Sequence, residues 1–376
     1  MINLKTLLNM DDVQVVAVCD VDRWRLDNAK QDVDVFYGNR DCKVHMDWRE
    51  VIARDDVDAI MNSTPDHWHV PISLAAVRHG KHVSCEKPLT LSIAEGRLLA
   101  DAVSKHKVTF RTDSECRSNG YMHKTAQLVR NGYLGTIRRI EVGVPAGDVA
   151  GGKADPVPVP DDLNYDMWLG PAPEAPYTKD RVHFHFRWIW DYSGGIICDW
   201  GTHLFDTAQW ANNTERSGPT EVDGKGNHWE GGLYDTVKDY DVTYRYANGV
   251  VMTCNSGNPS LKFIGSKGWV GNVGWRGKLQ ASSDKILNSV IEAGETRLFT
   301  NPAGEHRNFL DCVKTRRDPY FPVDIGHRVS TVCHLANLSI KLGRPLKWDP
   351  VKERFKNDNE ANRLRTRDMR KPWSLA

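Results

Sequence analysis

The sequence predicts an α/β protein with an N-terminal parallel-sheet domain, followed by a second α/β domain with a large, open, mainly antiparallel sheet. Three observations support this fold class. Short apolar segments alternate with amphipathic helices in the first third of the chain. Beyond residue 219, β-branched and aromatic segments are separated by hairpin signals. The 376 residues suffice for two domains, which we place at 1–118 and 119–376.

The first domain shows four segments with the character of buried strands, each followed by a turn or a helix. We expect these strands at 13–20, 57–62, 82–85 and 108–110. Pro71 is expected in the first turn of one helix, because its missing N–H is harmless there. Ser92 and Glu95 have the spacing of a capping box, which predicts the start of the next helix.

The second domain begins with a helix at 123–131 and a strand at 137–144, followed by a loop at 146–162 that is rich in Gly and Pro. Hairpin turns are expected at 248–249 and at 265–268, within an antiparallel sheet that spans 219–280. Two helices are expected at 304–315 and 324–342. The polar tail beyond residue 350 either wraps the surface or is loose.

Composition excludes several classes of function. Lys plus Arg is 50 and Asp plus Glu is 49, so the net charge is only +1, and we expect neither a nucleic-acid partner nor a membrane partner. No apolar run approaches the roughly 18 residues of a spanning helix. The eight cysteines form no CxxC pair, so we expect free thiols rather than a zinc ribbon. Five of the 13 tryptophans lie between 168 and 210, where they either fill a core or form cavity walls that stack on sugar rings.

Polar residues follow the first two predicted strands. Asp20 ends the first strand, where a dinucleotide-binding fold places an acid for the ribose hydroxyls, although many strands end in Asp. Ser63, Thr64, Pro65 and His69 lie between the second strand and the next helix. Free backbone N–H groups and hydroxyls at a helix N-terminus suit a ligand at the edge of a parallel sheet, but the same residues also suit a simple capped loop.

Two further motifs carry residues suited to catalysis. Glu86 and Lys87 follow the third strand. Pro88 favours an extended conformation of Lys87, which would then project from the edge of the sheet into the crevice there. The alternative is that the segment is an ordinary surface turn. Asp199 and His203 are four residues apart, so on a helix they share one face. A carboxylate beside an imidazole is the arrangement of a general base, although the same spacing occurs in surface pairs.

These motifs, in this order, resemble the glucose-fructose oxidoreductase, inositol dehydrogenase and MocA (Gfo/Idh/MocA) family. The resemblance extends from about residue 3 to the end of the predicted helix 324–342. It implies a Rossmann domain, NAD or NADP, a sugar-like or cyclitol substrate, and an open sheet that often forms the contact of a dimer or tetramer. It also implies catalytic roles for Lys87, Asp199 and His203. The implied cofactor contacts are Asp20, Ser63, Thr64, Pro65, His69, Glu86 and Lys87, and the candidate substrate contacts are His185, Arg187 and Trp188.

The sequence departs from the family pattern at its beginning. The family opens with a strand and a Gly-rich turn that holds the pyrophosphate, but this sequence opens at a segment typical of the following helix, with Leu4, Leu7 and Leu8 as its apolar stripe. We therefore expect a truncated Rossmann domain without its central strand, so that two neighbouring strands keep unpaired edges. A shortened gene start and a real loss of cofactor binding both remain open. The chain as given predicts a cytoplasmic protein, and an exported form remains open if a leader preceded it.

The residues and the resemblance together predict a dehydrogenase that moves hydride between a secondary alcohol and a nicotinamide. His203 is expected to act as the base, with Asp199 orienting it and Lys87 bonding the reacting oxygen. NAD is expected rather than NADP, because Asp20 would repel a 2′-phosphate. The alternatives are glycoside cleavage by transient oxidation, a non-catalytic sugar-binding relative, and a metal site in which His183 and His185 share one face of a strand and Asp199 and His203 complete the ligands.

Overall fold

The computed structural model describes residues 2–147, 151–274 and 277–376. Its N-terminal domain alternates strands and helices along the chain. These elements are α1 (Ile2–Leu8), β1 (Ala17–Cys19), α2 (Arg23–Tyr37), β2 (Lys43–His45), α3 (Trp48–Ile52), β3 (Ala59–Asn62), α4 (Asp66–Arg78), β4 (His82–Cys85), α5 (Ile93–His106) and β5 (Phe110–Thr112). The alternation follows from the buried apolar residues of β1, β4 and β5 and from helices between the strands, one of which starts at the predicted capping box of Ser92 and Glu95.

The C-terminal domain places helices on one large sheet. Its elements are α6 (Gly120–Arg130), β6 (Ile137–Val144), α7 (Tyr165–Leu169), α8 (Gly195–Asp199), α9 (Gly201–Ala211), β7 (Glu221–Asn227), β8 (Asp239–Arg245), β9 (Val251–Ser256), β10 (Ser260–Gly265), β11 (Gly268–Val273), β12 (Leu279–Ala281), α10 (Asp284–Leu287), α11 (Glu305–Thr315), α12 (Val323–Leu342), β13 (Leu346–Asp349), β14 (Arg354–Phe355) and α13 (Asn359–Arg363), with 3-10 turns at Glu115–Arg117 and His183–Trp188. The sheet has nine strands, in the order β12-β11-β10-β6-β9-β8-β7-β13-β14. Every neighbouring pair is antiparallel except β6 and β9, so the sheet is mainly antiparallel, as expected.

The five strands of the N-terminal domain form two parallel sheets instead of one. One sheet pairs β1 with β2, and the other has the order β3-β4-β5. Within the described residues no ladder joins β1 to β3, so each of these strands keeps one edge without a strand partner. Each sheet has its own apolar cluster, with Leu26 and Val33 against the first and Val83, Leu99 and Phe110 against the second.

Several predicted boundaries differ from the structure for identifiable reasons. β5 begins at Phe110 and not at Val108, because the N–H of Thr109 donates to the ring of His82 and leaves the ladder. α4 begins at Asp66, so Pro71 lies inside the helix and not in its first turn. The predicted loop 146–162 includes residues 148–150, which lie outside the described residues, and its described part has neither helix nor strand.

The C-terminal tail returns to the N-terminal domain and is not loose. Arg370 donates to Asp166 and to the carbonyl of Gly170, while the ring of Trp373 packs edge-on against Trp68 with centroids 4.8 Å apart. Arg365 accepts a backbone hydrogen bond from Ala94 at the start of α5. In the described part of the chain, no helix combines the length and the apolar character that crossing a bilayer requires.

Candidate active site

An ion pair between the two domains lies at the centre of the site. Lys87 follows β4 by two residues, and its Nζ lies 2.5 Å from Oδ1 of Asp199 and 3.0 Å from the carbonyl oxygen of the same residue. Nε of Arg187 lies 3.3 Å from the other carboxylate oxygen. Burial alone would raise the pKa of Asp199, but the two cations outweigh it and lower that pKa. Likewise, burial would lower the pKa of Lys87, but the carboxylate raises it, so both groups carry charge at neutral pH.

His203 lies one helical turn beyond Asp199, as the sequence spacing predicts. Asp199 ends α8, Trp200 keeps helical dihedral angles, and His203 is the third residue of α9. Nδ1 of His203 lies 3.0 Å from Oγ of Ser114. Burial, together with the Lys87 cation, lowers the pKa of His203 to about 3. The imidazole is therefore neutral at physiological pH, which is the form that can accept a proton.

The carboxylate of Asp199 lies between two cations, and its role in orienting His203 stays a prediction. One of its oxygens contacts Lys87 and the other faces Arg187, so the group that it visibly fixes is the ammonium. This happens because α8 ends directly opposite the segment after β4.

The start of α8 is fastened to the N-terminal domain by a buried hydrogen bond. Ser193 donates through Oγ to Oδ2 of Asp66, the first residue of α4, at 2.6 Å. Gly195 has φ +72°, and a Cβ there would lie 2.7 Å from Cβ of Thr236, so only glycine fits this close approach. The glycine-containing segment thus sets the position from which Asp199 reaches Lys87.

His69 connects the two loops at the sheet edge. Its Nδ1 lies 2.7 Å from the carbonyl oxygen of Pro88, and its Nε2 lies 2.8 Å from that of Thr64. The residue is only 1% exposed. Both ring nitrogens lie against carbonyl oxygens beneath the loops, and a contact of His69 with the cofactor stays a prediction. Its role is to hold the Thr64 loop against the Lys87–Pro88 segment, whose peptide bond is cis.

A cavity of about 230 Å³ lies beside Asp20 and the Ser63–Pro65 loop. Aromatic and apolar side chains line it, including Trp48, Trp68 and Phe186, together with the carboxylates of Asp20 and Asp22. Flat apolar walls with an acid beside them suit an adenosine group, so the residues present fit that part of a dinucleotide.

Two of the predicted cofactor contacts near this cavity already have partners within the chain. Oε1 of Glu86 accepts a hydrogen bond from Asn3 at 2.8 Å, and Oγ of Ser63 accepts one from the same amide at 3.2 Å. Asn3 lies on α1, so the first helix begins against the carboxyl edge of the second sheet.

The substrate side of the site is rich in aromatic rings. The guanidinium of Arg187 lies 3.9 Å from the centroid of Phe184, whose side chain is 63% exposed. His185 stacks on Tyr234 with their planes 14° apart. Trp188, in contrast, is only 3% exposed and packs in the core, and its contact with substrate stays a prediction.

The geometry expected for a metal site does not form. His183 through Trp188 make a 3-10 turn and not a strand, so His183 and His185 do not share a face by alternation. His183 instead accepts from Arg25 and lies 3.3 Å from Asp22. Among the described residues, no group of three or more His, Cys, Asp or Glu side chains is arranged to hold a metal ion.

Comparison with known proteins agrees with this architecture. Residues 3–114 match the description "Oxidoreductase family, NAD-binding Rossmann fold", and residues 121–375 match "Oxidoreductase family, C-terminal alpha/beta domain". The uncharacterized oxidoreductase YrbE of Bacillus subtilis is 22% identical over 349 residues, which cover 91% of this chain and 88% of that protein.

Two solved structures share the fold. GenD2 from gentamicin A biosynthesis, in complex with NAD, has a TM-score of 0.67 at 20% identity and covers 93% of each chain. Levoglucosan dehydrogenase, in complex with NADH and levoglucosan, has a TM-score of 0.63 at 18% identity and covers 89% of this chain and 90% of its own.

A Rossmann domain joined to an α/β domain, with polar groups gathered where the two meet, defines an NAD-binding oxidoreductase. The chain belongs to the Gfo/Idh/MocA oxidoreductase family.

Sequence reasoning missed four residues that the structure brings to the site. These residues are Asp66, Ser114, Glu115 and Phe184. Ser114 and Glu115 follow β5 at the carboxyl edge of the sheet, just as Lys87 follows β4. The argument that identified Lys87 from its place after a strand could therefore have identified these two residues as well.

Proposed function

We propose that this protein is an NAD-dependent dehydrogenase that oxidises a secondary alcohol of a sugar or a cyclitol. The observation that carries the proposal is the meeting of Lys87 and Asp199 at 2.5 Å with a neutral, buried His203 one turn away. An ammonium, a carboxylate and a neutral imidazole together can polarise an alcohol oxygen and accept its proton. The exposed ring of Phe184, which packs against Arg187, offers an apolar face of the kind that packs on sugar rings.

Each of the three polar groups has a distinct role in this proposal. His203 accepts the alcohol proton, which typically contributes about 10²–10⁴-fold to the rate. Lys87 donates a hydrogen bond to the reacting oxygen, and Asp199 holds the ammonium in place and keeps it charged. NAD, when bound, supplies the hydride acceptor.

The preference for NAD over NADP is part of the proposal. Asp20 lines the cavity and would repel a 2′-phosphate. Arg25, the nearby cation that could neutralise such a phosphate, is already directed to Nδ1 of His183 at 3.1 Å and to Asp22 at 3.5 Å. Both observations favour NAD over NADP.

The test is NADH formation by the purified protein with levoglucosan, myo-inositol and D-glucose as probes. Accumulating NADH with at least one probe, lost in Lys87→Met, supports a dehydrogenase. Release of the aglycone from a nitrophenyl glycoside without net NADH would instead indicate cleavage by transient oxidation. Sugar binding by calorimetry without either reaction would indicate a non-catalytic relative and contradict the proposal.

A further inference from the structure

The segment after β5 connects His203 to solvent. Ser114 is buried, and its Oγ lies 3.0 Å from Nδ1 of His203. The carboxylate of Glu115 lies 3.6 Å from the same nitrogen. The side chain of His203 is 11% exposed, whereas that of Glu115 is 42% exposed. A carboxylate therefore stands between a buried imidazole and bulk water.

The carboxylate of Glu115 also bears on which ring nitrogen of a neutral His203 carries its proton. Oγ of Ser114 already accepts the N–H of Cys116 as the cap of the 3-10 turn. The ionised carboxylate of Glu115 can only accept a proton. The hydroxyl of Ser114 can accept from Nδ1–H or donate to a lone pair there, so it suits either tautomer. The carboxylate favours N–H at Nδ1, because a lone pair there would face its negative charge. Nε2, on the opposite side of the ring, then carries the lone pair that a base needs.

Resting on the proposed function, we propose that Glu115 is the proton outlet of the site. As a positioning residue, it holds neutral His203 in the tautomer protonated at Nδ1. It also takes the Nδ1 proton when Nε2 receives one from the alcohol, and it releases this proton to water.

The step balances in atoms and charge. Oxidation of the alcohol breaks one C–H and one O–H bond, and the hydride leaves for NAD⁺. The hydroxyl proton forms a bond to Nε2, and the imidazolium then loses its Nδ1 proton to the carboxylate. Glu115 regains its negative charge by giving that proton to water. The ring is then protonated at Nε2, and either a flip of the ring or an exchange of protons restores the tautomer protonated at Nδ1.

The surroundings of His203 make such an outlet useful. Burial and the nearby Lys87 cation disfavour the imidazolium, so the pKa of His203 lies well below its ordinary value. If the second proton stayed on the ring, the site would keep a buried imidazolium close to the Lys87 cation, which is its least stable charge state. The solvent-exposed carboxylate of Glu115, 3.6 Å from Nδ1, can remove that proton without any movement of Lys87 or Asp199.

The first test compares Glu115→Gln with Glu115→Asp. At low buffer concentration we expect kcat of Glu115→Gln to fall by about tenfold, a fraction of what general base catalysis contributes, with KM and NAD⁺ affinity unchanged. Added imidazole should restore kcat, because a free base can collect the proton in place of the carboxylate. Glu115→Asp should keep part of the activity without imidazole. Wild-type kcat in Glu115→Gln at every buffer concentration would overturn the proposal.

The second test needs no turnover. Nitrogen NMR of ¹⁵N-histidine protein, with the His203 signals assigned by their loss in His203→Asn, reports which ring nitrogen bears the proton. We expect the Nδ1–H form in the wild type and an increased Nε2–H population in Glu115→Gln. A wild-type His203 protonated at Nε2 would overturn the proposal. If no probe sugar yields NADH, the proposed function fails on those substrates, while the NMR result still decides the role of Glu115.

Discussion

The contact between Lys87 and Asp199 makes a quantitative prediction about Lys87→Met, which keeps the length of the side chain and removes its charge. The two side chains are 19% and 15% exposed, so this is a largely buried pair. Removing one partner of such a pair typically costs about 3–5 kcal/mol. Arg187 remains 3.3 Å from the carboxylate, so we expect the low end, about 3 kcal/mol.

The loss should be visible in both folding and activity. Urea unfolding followed by tryptophan fluorescence should report the lower stability, and Tm should fall by roughly 4 °C for a chain of this length. Losing a donor to the reacting oxygen should lower kcat by about 10²–10³-fold. Lys105→Met removes an exposed lysine on α5 and is the control, with stability and kcat close to the wild type.

A double-mutant cycle separates the pair from its surroundings. Because Lys87→Met/Asp199→Asn leaves neither charge without its partner, we expect it to be about 0.5–3 kcal/mol more stable than the sum of the single effects. Strict additivity, or a Lys87→Met protein with wild-type kcat, would refute the reasoning that the two groups act as one unit.

Three more predictions concern the base, the cofactor and pH. His203→Asn should lower kcat far more than it changes KM, because a base acts in the transition state; a rise in KM alone would make His203 a binding residue. Titration should show tighter binding of NAD⁺ than of NADP⁺, and Asp20→Ala should narrow the difference; an unchanged ratio would remove Asp20 from this role. Burial lowers the pKa of His67 to about 4, so the unfolded chain binds its proton first as pH falls below 6.5. The free energy of unfolding should therefore drop by about 3 kcal/mol between pH 6.5 and 4 from this group, and His67→Asn should flatten that part of the curve.

Local signals explain which parts of the fold were predictable. The capping box of Ser92 and the turns at 248–249 and 265–268 depend on neighbouring residues, and all three occur in the structure. The segment His183–Trp188 alternates in polarity like a strand but forms a 3-10 turn, since its contacts with Arg25 and Asp22 come from the other domain. No local pattern contains that information.

The same distinction holds for the site. The positions of Lys87 and His203 followed from motifs at the ends of predicted elements. The pairing of Lys87 with Asp199 joins residues 112 positions apart, and it depends on how the two domains meet. For the same reason, the burial of His69 and Trp188 was not foreseeable, because each looks like a ligand contact until its neighbours are known.

The returning C-terminal segment limits how the two halves of the molecule can move. The domains are tied by the bridge of Asp22 with Leu163, and again where Trp373 packs on Trp68. Rotation about a single hinge would have to break at least one of these ties. Ligands should therefore enter through local opening of loops such as the one that carries Phe184, and Trp373 is a built-in fluorescent reporter of any larger separation.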